Sequence, residues 1–319
     1  MGLHLNAILV TVLPVFGMIV LGYGFAKAGI IDQVSGKGIT LFVFNAAIPA
    51  LLFKTVATMT PQDGAPWGLW IVFFGGIAIT WGLTAVIAPR IDGISDGGGS
   101  AASMAAGFGN LALLGTPLAF SHFGEKVGVP LGMILSIHAP LLWFTATVHH
   151  ELTRHDASFS FARTARELFL NLAKNAIVLA LIAGAIWRTG GLGLNPIIDK
   201  MLSMLADASV PTALFALGLS LAAYSLKGAW TGMFTLIALK MILLPLCVFG
   251  LLRFAVSLPP LWSQVAILFA AMPTGANAFL FAHRNDEAVA AVSGAIALGT
   301  ALAAISASVL LYFMDRGML

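Results

Sequence analysis

The chain has 319 residues, of which 59% are apolar and only 9% charged, with a mean hydropathy of +0.97. Soluble domains carry about 25% charged residues, so the composition excludes a soluble globule and points to an all-α polytopic membrane protein. The net charge of +3 comes from basic residues scattered one or two per loop rather than gathered on a face, which argues against a nucleic-acid partner.

Ten apolar stretches, each near the ~20 residues that cross a bilayer, are expected at 5–27, 38–58, 67–89, 101–122, 128–150, 170–188, 197–225, 229–252, 262–282 and 289–313. The first has no Lys or Arg ahead of it in MGLHLN and is long, so it is expected to be a retained span rather than a cleaved signal. The longest connection, from Glu151 to Glu167, leaves no room for a soluble domain between spans. Basic residues fall nine on one side of the alternating loops and six on the other, with the excess concentrated at Arg154, Arg163, Arg166 and Lys174. The positive-inside rule then puts the loop between spans five and six in the cytoplasm and both termini outside. The single Cys247 lies within a span, so no intramolecular disulfide is expected.

A shift of 162 residues lays FNAAIPALLF (44–53) on ADASVPTALF (206–215), Gly22 on Gly184, and the first five apolar stretches on the last five. The expected organisation is therefore two five-helix repeats, 1–157 and 158–319. An odd number of spans per repeat inverts the second copy in the membrane, a hallmark of secondary transporters.

Spans four and nine are broken. The fourth reads GFGNLALLGTPLAF, with Gly107, Gly109, Asn110, Gly115, Thr116 and Pro117; the ninth reads AAMPTGANAFLFA, with Pro273, Thr274, Gly275 and Asn277. Lipid cannot satisfy the backbone groups that such breaks free, so they belong against protein or a water-filled cavity. Under the 162 shift Asn110 lands on Met272 and Gly115 on Asn277, placing the two breaks at equivalent depths. Half-helices meeting there present N–H groups and positive dipole ends to a carboxylate, and the two Asn side chains add neutral amides. The alternative is that Gly and Pro only permit close packing or a kink; at Pro49 and Pro211, which match without a glycine cluster, that structural reading is preferred.

FVFNAAIPALLF, NLALLGTPL and MPTGANAFLFA resemble the auxin efflux carrier family, over essentially the whole chain. The resemblance implies ten spans in two inverted repeats, a scaffold of spans 1, 2, 6 and 7, a moving transport domain of spans 3–5 and 8–10, and substrate held where spans four and nine cross. A homodimer is expected, and a bacterial inner membrane, because PTGANAF is closer to the bacterial acid permeases than to the plant carriers. Gly109 in place of a proline, Asn277, and the missing long cytoplasmic loop depart from the plant pattern, which argues against auxin as substrate.

Ionisable groups within spans are costly and mark function. Asp207, Lys240 and His138 are the mid-span examples, and they are the coupling candidates beside structural readings as backbone-bonded or snorkelling groups. His149, His150 and His155 cluster at a span end without an evident paired carboxylate, so no metal site is expected. GGGS at 97–100 opens span four and reads as a flexible entry. No phosphate loop, H-E-x-x-H or C-x-x-C is present, so neither an enzyme nor a cofactor is expected. The leading expectation is an elevator-type secondary transporter of small organic anions, driven by protons. A sodium-coupled symporter of the bile-acid-carrier type, or a channel or sensor, is the alternative.

Overall fold

The computed structural model describes residues 2–59, 66–94, 98–154 and 160–317. The boundary between the two expected repeats, His155 and Gly97 lie outside the described residues. The described residues form helices without strands: α1 (Gly2–Lys27), α2 (Gln33–Thr58), α3 (Pro66–Ile87), α4 (Gly99–Gly107), α5 (Thr116–Phe123), α6 (Gly128–Arg154), α7 (Phe161–Lys174), α8 (Ala176–Thr189), α9 (Pro196–Leu221), α10 (Trp230–Phe254), α11 (Pro260–Ala270), α12 (Ala276–Asn285) and α13 (Val289–Asp315). The long helices carry apolar side chains outward, among them Val20, Ile197, Ile242 and Ile305, while α4 is buried from Ser100 to Gly107. That is the pattern of a bundle facing lipid.

Three prolines reshape the helices that contain them. Pro49, Pro117 and Pro245 are each the second residue after a π-turn, at Val43–Ala47, Leu111–Gly115 and Leu239–Leu243. Proline has no N–H to give the carbonyl four residues back, and the ladder widens locally to i→i+5 bonds where that donor is missing.

Among the described residues seven helices are long and apolar enough to cross a membrane, or eight if α7 and α8 form one bent span. This is fewer than the ten expected, for a physical reason. α4 has 9 residues and α11 has 11, roughly 14 and 17 Å at 1.5 Å per residue, so neither reaches across a ~30 Å core alone. α5 runs on through a short 3-10 turn at Gly124–Val127 into α6. The expected span at 170–188 is corrected: its first residues belong to α7, an amphipathic helix with no buried residue, and the apolar part is the 14-residue α8, turned 55° from it. Asn175 makes the corner, its Oδ1 accepting from the N–H groups of Ile177 and Val178 at 2.9 and 3.4 Å.

The 162-residue offset relates structural features as well as letters. α2 falls on 195–220, where α9 runs Pro196–Leu221, and α4 falls on 261–269, within α11. Gly22 lies against the carbonyl of Phe215, and Gly184 against the carbonyl of Phe53; a methyl group on either glycine would overlap that oxygen. Both residues of the first contact are displaced by the same offset from those of the second. α1 thus packs on α9 as α8 packs on α2, backbone to backbone.

Candidate functional site

The two breaks meet. Gly109 and Thr274 form an isolated antiparallel bridge; the N–H of Asn110 donates to the carbonyl of Pro273 at 2.8 Å, and that of Gly275 to the carbonyl of Phe108 at 2.9 Å. Each broken segment therefore supplies the backbone partners that the other lost, as a non-helical stretch at membrane depth requires. Gly275 is needed at this point because a Cβ would stand 2.9 Å from both the Gly109 carbonyl and the Phe108 ring.

The carbonyl ends of the half-helices are closed by side chains. Thr274 Oγ1 donates to the carbonyl of Ala105 in α4 at 2.9 Å, and Lys240 Nζ to the carbonyl of Ala270 in α11 at 2.7 Å. Lys240 is 1% exposed, and its ammonium sits at the negative end of a helix dipole. Gly109 leaves the room: a Cβ there would come 3.3 Å from Nζ.

The N-terminal residues of the other two half-helices, by contrast, line open space. The Asn110 carbonyl takes the N–H groups of Leu114 and Gly115, and the Gly275 carbonyl takes that of Ala278. The N–H groups of Leu111, Ala112, Ala276 and Asn277 precede those first bonds and have no intrahelical partner. All four residues line a cavity of about 450 Å³, within the range of small-molecule sites. Its polar lining comprises Thr40, Asn45, Asn110, His138, Lys174, Asn175 and Asn277. No carboxylate occurs among the described lining residues, and Lys174 is their one full charge. His138 from α6 is 3% exposed, lies with its ring tilted 51° to that of Phe108 at 4.5 Å between centroids, and has Nε2 without a hydrogen-bond partner. The arrangement offers donors, positive dipole ends and amides to an anion.

Of the residues expected at the site, Asn110, Gly275 and Asn277 line the cavity, as does the coupling candidate His138. Gly115, Thr116, Pro117, Pro273 and Thr274 instead build the crossing behind it. Gly115 packs on Phe269 and Met272, Thr116 Oγ1 bonds to the carbonyl of Leu111 at 3.0 Å, and all five residues are buried. Lys240 lies beneath the crossing. Asp207 is exposed on α9 and outside the cavity lining.

Sequence reasoning missed Lys174 and Asn175, which were merged into an apolar span, and it missed Glu287. The described part of the histidine cluster does have a carboxylate partner: Glu287 Oε1 lies 2.9 Å from His150 Nδ1. No group of three or more potential metal ligands is assembled among the described residues.

A family model described as membrane transport protein matches residues 7–311. A protein of Rhizobium meliloti (strain 1021) named "Putative malonate transporter" is 25% identical over 310 residues, covering 97% of this chain and 96% of its own. An "Uncharacterized transporter" of Methanothermobacter thermautotrophicus is 25% identical over 300 residues, covering 93% and 95%. A mouse "Lysosomal cholesterol signaling protein" is 23% identical over 92% of this chain, which spans 36% of that longer protein. The chain belongs to the membrane transport protein family, the auxin-efflux-carrier-like family its motifs resemble.

Proposed function

We propose that this protein is a secondary transporter of small organic anions, with the carboxylate seated where the two half-helix N-termini converge. The observation that carries this reading is the asymmetry of the crossing. Side chains close its carbonyl ends, while its N–H ends, Asn110 and Asn277 open into one cavity. Donors fixed by the fold cost little reorganisation when an anion binds. The relative named for malonate supports a carboxylate substrate.

The transport reading includes ten spans, with α4–α5 and α11–α12 each counted as one broken crossing, in two inverted repeats, 1–157 and 158–319. The paired glycine contacts at Gly22 and Gly184 support that repeat. An elevator then moves the crossing, on spans 3–5 and 8–10, against a scaffold of spans 1, 2, 6 and 7, in a homodimer. Both termini lie outside the cytoplasm on the basic-residue count. Protons are the favoured driving ion, because the described cavity lining offers no carboxylate for Na⁺, while His138 lines the cavity and Lys240 lies beneath it.

The test is uptake and counterflow in proteoliposomes against a panel of mono- and dicarboxylates, with pH and Na⁺ gradients imposed separately. Saturable carboxylate counterflow is expected, with net uptake following the pH gradient. Flux that follows Na⁺ at fixed pH would replace the proton reading with a sodium symporter. Failure of every carboxylate to exchange would remove the anion reading.

A further inference from the structure

Glu287 lies in the short turn between α12 and α13, in the run HRNDEAV. Such a charged run belongs in water, and its neighbour Asp286 is exposed, yet Glu287 is 3% exposed. The chain bends to bury it: Asp286 and Ala288, on either side, adopt left-handed φ values of 55° and 49°. Only three non-glycine residues among those described do so, and two of them flank this carboxylate. Left-handed backbone at residues with a Cβ is strained and persists where the surroundings enforce it.

Both carboxylate oxygens have partners. Ser100 Oγ, at the start of α4, donates to Oε2 at 2.6 Å, and His150 Nδ1, near the end of α6, lies 2.9 Å from Oε1, at ion-pair distance but without hydrogen-bond alignment. His150 is itself 7% exposed. The pair thus ties together α4, α6 and the α12–α13 turn, all on the side of the molecule assigned above to the moving block. His149 is also within electrostatic reach of the pair; its Nδ1 accepts the indole N–H of Trp81 from α3 at 3.2 Å. Phe281 of α12 closes the His150 ring from the side, at 6.1 Å between centroids. Glu287 has no ion-pair partner besides His150 among the described residues.

A buried carboxylate–imidazole pair that holds one proton is neutral overall, whichever member carries it. Removing that proton leaves a net negative charge without solvent, and adding a second leaves a net positive one. Either is costly in a low-dielectric interior. Loss or gain of the proton is therefore linked to water reaching the pair.

We propose that Glu287 and His150 form a proton-binding site of the transport block, separate from the anion cavity, through which the transport cycle responds to pH. The inference rests on the transporter reading above, and goes beyond it by locating the responding proton away from Lys240 and His138. A purely structural pair would hold the helices together without coupling flux to pH.

Glu287→Gln separates the two roles, since the amide keeps an oxygen for Ser100 and the shape of the carboxylate but does not titrate. In proteoliposomes, succinate uptake by the unaltered protein is expected to follow an imposed pH gradient. E287Q is expected to lose the gradient-driven component about tenfold or more while succinate counterflow without a gradient continues. His150→Gln should do the same, and the double variant should be no worse than either single one, because one shared site is removed each time. The protons exchanged per succinate bound, measured by titration calorimetry in buffers of different ionisation enthalpy, should fall in E287Q. A gradient response retained in both E287Q and H150Q, or an unchanged proton count, overturns the proposal, as does a wild-type protein that exchanges succinate but ignores pH. If E287Q does not fold, H150Q alone decides by the same readings. Loss of wild-type exchange of every carboxylate tested would instead strike the transporter reading on which the proposal stands.

Discussion

Gly22 of α1 lies directly on the backbone carbonyl of Phe215 in α9, with no space for a methyl group between the helices. Small residues at such contacts let membrane helices approach closely enough for dispersion to hold them. Gly22→Ala must therefore push α1 and α9 apart, and overpacking of this kind costs roughly 1–3 kcal/mol. The detergent-solubilised variant should melt several degrees lower than the parent. Gly17→Ala, where a Cβ meets nothing within 4 Å, should melt as the parent does.

Gly275→Ala acts on the crossing itself. The added methyl would meet the Gly109 carbonyl and the Phe108 ring at 2.9 Å, and both belong to the segment that Gly275 must pair with. The hydrogen bond from its N–H to the carbonyl of Phe108 should lengthen or break. The expected outcome is loss of carboxylate binding beyond about tenfold, in protein that still inserts. Unchanged binding would mean that the crossing tolerates separation.

Lys240 places an amino group behind the cavity and closes the carbonyl end of α11. Lys240→Met keeps the volume but removes the amino group and leaves the Ala270 carbonyl without that donor. Carboxylate affinity should fall about tenfold or more, whereas Lys240→Arg should retain part of it. Isothermal titration of the three proteins with one carboxylate checks this; equal affinities would make Lys240 a structural plug.

Lys174 stands at the cavity with an exposed side chain, so its pull on an incoming anion runs through water and is screened by salt. Lys174→Gln should slow carboxylate association severalfold at low ionic strength, and the difference should shrink as salt is raised. Stopped-flow binding at two salt concentrations measures it. A deficit independent of salt would point to a direct contact instead.

The crossing was legible in the sequence because Pro and Gly beside Asn110 and Asn277 have few uses in lipid other than a break. Lys240 stood out as a lone charge in LIALKMILLP. The division of labour was not legible. Gly115, Thr116, Pro117, Pro273 and Thr274 share the motifs but turn inward to build the junction, which depends on how two distant segments pair. The corner at Asn175 was hidden because LFLNLAK in α7 is apolar enough to extend the next span, while its bend follows from the Asn175 cap. Nothing in HRNDEAV sets Glu287 apart from Arg284 and Asp286; it is turned inward between two left-handed residues, which depends on the fold. Asp207 drew notice as a mid-span carboxylate, and its exposure on α9 came from the packing alone.

The most direct measurement is carboxylate binding to the purified protein and to Asn110→Ala and Asn277→Ala. Each amide borders one of the converging half-helix N-termini and lines the same cavity, and a hydrogen bond to a charged group is worth roughly 1.5–3 kcal/mol. An affinity loss on the order of ten- to a hundredfold is expected in each variant, with normal insertion and purification. Undiminished affinity in both would contradict it, and the carboxylate would have to bind somewhere other than the crossing.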